Sequence, residues 1–223
     1  MPSPRRSAIV AVLVLLAGLA FAGCGRAQPG TAAYVGDVRI TERRVDGLVE
    51  EIKRFAEGRD TTGARRAMVS ILVMRELVLR AAAERSIPAP EPDLAGTARN
   101  LGLPADAEVV RLQAELVAVG RALIMLAEPV QPTDEDFREI YDSIRTDPDF
   151  DQANTYEEIA EDLRANPALP KSLGARKILV EQAKKDGLEV NPRYRPLVRY
   201  LEAGVPLVMS EGIGVRDQVH VNS

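Results

Sequence analysis

The sequence predicts a mainly α-helical domain with a small β element built from short strands near its two ends. Three observations predict it. Between residues 41 and 186, apolar side chains recur every three or four positions, the period of amphipathic helices. Gly36-Asp37 separates two β-prone pieces, the signature of a two-residue hairpin turn. Pro88, Pro90, Pro92, Pro129 and Pro132 fall between the periodic stretches, where a missing N–H costs no helix. The composition agrees. Of 223 residues, 46% are apolar and 28% charged, the balance of a globular chain. A net charge of −4 gives no general attraction to nucleic acid, and none is expected as a partner. With one Cys and one His (His220), the chain has no intrachain disulfide, no cysteine-rich metal site, no His-pair zinc site and no His-based triad. No cofactor is expected.

The first segment is a targeting element. Arg5 and Arg6 precede an unbroken run of apolar and small residues from Ala8 to Gly23. That run is shorter than the roughly 20 residues a spanning helix needs and suits an export signal. It ends in Leu19-Ala20-Phe21-Ala22-Gly23-Cys24, with small residues before the chain's single Cys. This resembles the lipobox of bacterial lipoproteins, departing from it at Phe21, where that family usually has Leu. The resemblance implies cleavage before Cys24, a diacylglyceryl group on its thiol, and a protein lipid-anchored on the extracytoplasmic face of the cell membrane. An ordinary secretory signal with a chance Cys, or a short membrane helix, is the plainer alternative. Arg5-Arg6 also hints at twin-arginine export, which the following residues fit weakly. The organisation is then a signal peptide at 1–23, a lipidated tether at 24–31 rich in Gly and polar residues, a helical domain at 32–194 and an extension at 195–223.

The elements follow in order. After the hairpin of Ala32–Ile40, Thr41 caps a helix running to about Glu57, with Val45, Leu48, Val49, Ile52 and Phe55 on one stripe. Gly58–Gly63 is a polar break. Ala64–Arg85 has a wide apolar surface (Met68, Ile71, Leu72, Met74, Leu77, Val78, Leu79) and is the expected central core helix. Ile87–Pro92 must be extended. A short helix follows from Pro92 to about Asn100, and a long one over Ala105–Leu126 places Val109, Leu112, Leu116, Val119, Leu123 and Leu126 on one face. Thr133-Asp134-Glu135-Asp136 opens a helix carrying Phe137, Ile140, Tyr141 and Ile144 in the manner of a capping box. Two further helices are expected at Tyr156–Ala165 and Leu169–Asp186, the second opened by Pro170 and closed by Gly187. Leu188–Asn191 reads as a strand stopped by Pro192, and Arg195–Ser223 as a short helix with a loose tail.

One loop has the pattern of a cation site. From Asp147 to Glu158 the acids Asp147, Asp149, Asp151 and Glu158 stand at positions 1, 3, 5 and 12, as in an EF-hand calcium loop. Gln152 stands where the sharp turn needs Gly, and Pro148 is unusual there. A solvated acidic loop, with Glu157 and Glu158 favouring the next helix N-terminus, is the bland reading.

Several of these stretches together resemble the SurA-type periplasmic chaperones. Ala33-Tyr34-Val35-Gly36-Asp37-Val38-Arg39-Ile40-Thr41-Glu42 is similar to their opening hairpin and helix start, and Met68–Glu84 to their second helix. Pro132–Asp136 with Tyr141 resembles a later helix, and Val190-Asn191-Pro192-Arg193-Tyr194 their closing segment. Arg195 stands where that ending often continues with Gly. The resemblance implies a multi-helix peptide-binding fold, of the kind shared with trigger factor, whose closing strand returns to pair with the opening one. It also implies a chaperone-like activity toward unfolded or exported polypeptides. The parvulin prolyl isomerase domain often carried by such proteins has no room in the stretch 133–187, and its pocket His is missing. No nucleophile elbow or phosphate loop is present either, so the chain is expected not to be an enzyme. Met68, Met74 and Met125 read either as core or as part of an adaptable apolar cleft, with helical spacing favouring core. A lipoprotein scaffold or accessory subunit that binds one folded partner is the alternative function.

Overall fold

The computed structural model describes residues 29–55, 61, 63–145 and 153–194. The signal, Cys24, the loop acids Asp147, Asp149 and Asp151, and the extension at 195–223 lie outside the described residues.

Among the described residues the protein is mainly helical with one small antiparallel sheet. The strands are β1 (Thr31–Val35), β2 (Val38–Thr41) and β3 (Glu189–Val190), in the order β2-β1-β3. The helices are α1 (Glu42–Phe55), α2 (Ala64–Glu84), α3 (Leu94–Leu101), α4 (Glu108–Leu126), α5 (Asp134–Ile144), α6 (Tyr156–Ala165) and α7 (Leu169–Asp186). The hairpin turns where the sequence says it should. Gly36 holds φ at +61°, a value that costs a residue with a Cβ, and Val35 pairs with Val38 across the turn. An added Cβ there would also lie 2.8 Å from the Arg80 guanidinium. The segment after the last long helix returns to the hairpin: β3 pairs with β1 through Ala33↔Val190, and the Asn191 N–H donates to the Ala32 carbonyl at 2.9 Å. β1 is therefore the central strand, which is why nearly all of it is buried.

Two cores divide the helices. The larger joins β1, α1, α2, α4 and the later part of α7, through side chains such as Val35, Leu48, Val73, Leu77, Leu123 and Leu179. α2 lies at its centre, packed against α1, α4, α7 and the sheet. Each such aliphatic side chain contributes about 1.5–3 kcal/mol by leaving water. The smaller core gathers Phe137, Ile140, Ile159, Leu163, Leu169 and Leu173 from α5, α6 and the start of α7. α7 thus spans both. The linker between α4 and α5 is fastened to it: Val130 N–H donates to the Pro170 carbonyl at 2.8 Å. That approach needs Gly174, because a Cβ there would stand 2.0 Å from the Glu128 carbonyl oxygen.

The helix ends differ from expectation in instructive ways. The short helix starts at Leu94, not Pro92, because Asp93 caps it, its carboxylate accepting from Gly96 N–H at 2.7 Å. The long helix starts at Glu108, three residues after the expected Ala105. Ala107 at its N-cap offers no side-chain acceptor. Glu51 of α1 supplies one, accepting from Glu108 N–H at 3.0 Å and Val109 N–H at 2.9 Å. β3 is shorter than Leu188–Asn191, since Asn191 leaves the ladder to begin the Pro192–Tyr194 turn.

Candidate functional site

Three places could carry function: the anchor, the acidic loop and the surface left apolar. Cys24 and three of the four loop acids lie outside the described residues. The fourth, Glu158, is used by the helix. Thr155 N–H and Oγ1 both donate to Glu158 Oε2 at 2.9 Å, and Thr155 Oγ1 accepts from Glu158 N–H, a complete capping box. The Thr155 backbone N–H holds this carboxyl below the usual glutamate range. Among the described residues, no group of three His, Cys, Asp or Glu side chains is placed to hold a metal ion. No described helix is long and apolar enough to cross a membrane.

Of the two readings left open for the methionines, core or apolar cleft, the packing between the two longest helices supports core. α2 and α4 pack directly on one another, and Met68, Met74, Leu116, Val119 and Leu123 are buried. Two of the three methionines are therefore core. Met125 is the exception: it is 67% exposed, and its neighbour Leu126 is 65% exposed. The stripe of α4 predicts Leu126 inside. At this end of the helix the stripe continues, and no described residue covers it. Phe55, on the stripe of α1, is also exposed, at 43%.

This apolar end of α4 lies beside the start of α7. Lys171 Nζ donates to the Met125 carbonyl at 2.6 Å. Across the linker, Val130, Leu173 and Val180 form the apolar part of a shallow groove of about 260 Å³ between α5 and α7. Asp136, Arg176 and Lys177 edge it. Arg176 is fixed by ion pairs to Asp136, at 3.5 Å, and to Glu139. An apolar floor with charged edges suits an extended apolar segment with some charge and supplies no reacting group. The sequence reading missed this groove. Leu173 and Val180, seven residues apart on one helix, were the signal available.

The closing segment is locked by charge. Glu42 Oε2 accepts from the Tyr194 hydroxyl at 2.9 Å and from Arg65 at 2.9 Å. Its buried Oε1 receives no hydrogen bond, and the Arg193 guanidinium sits against it as an ion pair off the hydrogen-bonding direction. That contact raises the Arg193 pKa further above its already high value. Tyr194 itself is 3% exposed, so the Pro192–Tyr194 turn is part of the fold.

Comparison with protein-family models, curated proteins and solved structures found no match to this chain.

Proposed function

We propose that the protein is a lipid-anchored chaperone-like protein of the SurA type, held at the extracytoplasmic face of the cell membrane through Cys24. It binds unfolded or exported polypeptides without prolyl isomerase activity. The observation that carries this reading is the return of the segment at 189–194 to the opening hairpin. β3 pairs with β1, and Tyr194 is tied to the first turn of α1 through Glu42. This is the closure that the resemblance of both ends to SurA-type chaperones implies. The exposed Met125 and Leu126, with the groove at Val130, Leu173 and Val180, are the polypeptide-binding surface in this reading. Met adapts its shape to varied apolar partners.

The experiment is suppression of aggregation. Purified protein in excess should slow the aggregation of a chemically unfolded client, and Met125→Ser with Leu126→Ser should remove most of the effect while leaving the Tm within about 2 °C, the scale of a surface change. Unchanged aggregation with the unsubstituted protein would overturn the proposal.

One observation favours the second reading, a scaffold or accessory subunit with one folded partner. The packing of α2 against α4 leaves no broad apolar face of the kind that suits many clients. Cross-linking in intact cells separates the two: one dominant adduct supports the scaffold, many adducts the chaperone.

A further inference from the structure

The tether leaves the domain beside the start of α1, which is joined through Arg44 to Glu108 at the far end of α4 from Met125. That exit is fixed. The Glu42 N–H donates to the Gly30 carbonyl at 2.9 Å, and Arg39 Nη2 donates to the Pro29 carbonyl at 3.1 Å. Six peptide units join Cys24 to Gly30. At about 3.3–3.6 Å per residue they reach no further than about 20 Å. A lipid on Cys24 would therefore keep Thr41 and the first turn of α1 close to the bilayer.

A shallow groove of about 430 Å³ opens at this place, lined by Thr41, Arg43, Gly47 and Arg54 of the strand end and α1, with Arg44, Glu51 and Glu108 at its wall. The wall charges are spoken for. Arg44 grips Glu108 through Nη1 and Nη2, at 2.6 and 2.8 Å, and Glu51 caps α4. Arg43 and Arg54 are different. Both are exposed, and neither meets a carboxylate among the described residues. They stand eleven residues apart, about three helical turns and roughly 16 Å, on one side of α1. Gly47 lies between them, with nothing within 4 Å of where a Cβ would be. The nearby Glu50 is paired with Lys53 at 2.8 Å. In a chain of net charge −4, two arginines that no carboxylate of the described residues meets form a local positive surface near the tether exit.

We propose that this groove binds anionic phospholipid headgroups of the membrane that carries the anchor. The inference rests on the lipid-anchored reading of Cys24. Arg43 and Arg54 each take a phosphate oxygen, and the missing side chain at Gly47 lets the headgroup layer lie along the helix. Two point contacts, added to the acyl chains, orient the domain with α1 on the membrane and the exposed end of α4 free to meet polypeptide.

The test uses the acylated full-length product in vesicles. Gly47→Cys, carrying an environment-sensitive fluorophore, places a probe in open space between the two arginines. In phosphatidylglycerol vesicles the probe should be quenched by a headgroup-level quencher several-fold more than in phosphatidylcholine vesicles. Arg43→Ala with Arg54→Ala, or 1 M salt, should erase the difference. Equal quenching in both lipids, or a difference that survives the double substitution, overturns the proposal. The mass of the Cys24 peptide tests the anchor separately. If it carries no lipid, the anchor reading fails by itself, and the groove is judged by sedimenting the same chain with the same vesicles. Binding to phosphatidylglycerol that weakens about 30-fold in the double variant supports it, at about 1 kcal/mol per basic residue near an anionic surface. No binding overturns it.

Discussion

Glu51 should be worth more to stability than any isolated surface acid. It caps the N-terminus of α4 from another helix, 57 residues away in sequence from the first N–H that it accepts. Ala107 has the extended backbone of an N-cap, φ −61° and ψ 139°, but no acceptor of its own. In Glu51→Ala two N–H groups lose a charged partner. The end of Glu108 is open enough for water, since that side chain is 35% exposed, whereas Val109 is 2% exposed. A hydrogen bond to a charged group contributes about 1.5–3 kcal/mol, and losing a helix cap costs about 0.5–2 kcal/mol. One N–H rehydrated and one stranded gives a loss of about 2–3 kcal/mol. For a chain of this size that lowers the Tm by about 4–12 °C. Glu51→Gln keeps one good acceptor and should lose about half as much. Ala107→Ser supplies a hydroxyl where the local backbone already suits it. It should restore about 1 kcal/mol in the Glu51→Ala background and little in the unsubstituted chain. Thermal and urea unfolding of the four variants measure this. A loss below 0.5 kcal/mol for Glu51→Ala, or the same effect of Ala107→Ser in both backgrounds, would refute the reasoning.

Three further expectations follow from the packing. Tyr194→Phe removes one hydrogen bond to Glu42 and should cost about 1 kcal/mol, while Tyr194→Ala also empties a buried ring site and should cost about 3–5 kcal/mol, both read from denaturant midpoints. Gly174→Ala drives a Cβ into the Glu128 carbonyl oxygen and should cost about 1–3 kcal/mol, with hydrogen exchange quickening first at the Val130 N–H. The Arg44 guanidinium holds the Glu108 carboxyl below its ordinary value of 4.5, and Arg80 does the same for Asp37. A carboxyl whose pKa is depressed by folding stabilises the fold above its unfolded pKa and loses that contribution as pH falls through its folded pKa. Stability should therefore be level with respect to these groups above about pH 5 and fall progressively below the ordinary carboxylate range, and Glu108→Gln should shrink that fall; a urea midpoint unchanged between pH 5 and pH 3 would contradict it.

What the sequence revealed was local. Gly36-Asp37 forces its turn whatever surrounds it, and the stripes of α1, α2 and α4 name most of the core because an apolar face has to be covered somewhere. Pro170 and Gly187 bound α7 by backbone chemistry alone. What stayed hidden depends on neighbours far along the chain. Nothing near Glu51 says that it ends a helix beginning at residue 108, and nothing near Glu42 says that Arg65, Arg193 and Tyr194 converge on it. Periodicity also cannot tell where along a helix its stripe stays uncovered. For that reason Met125 and Leu126 are exposed although their spacing reads as core. The surface proposed to bind polypeptide is thus the part of the stripe that packing leaves exposed. The proposed anchor rests on Arg5, Arg6, the apolar run and Cys24 alone, all of which fall outside the described residues.

The most direct measurement places a photo-cross-linking amino acid at position 125 in intact cells, followed by fractionation of the envelope. The account predicts a membrane-bound protein that yields a ladder of adducts with many exported polypeptides, lost when the probe is moved to the exposed, polar Glu157. A protein recovered without lipid in the cytosol, or one that gives no adducts from position 125, would contradict it.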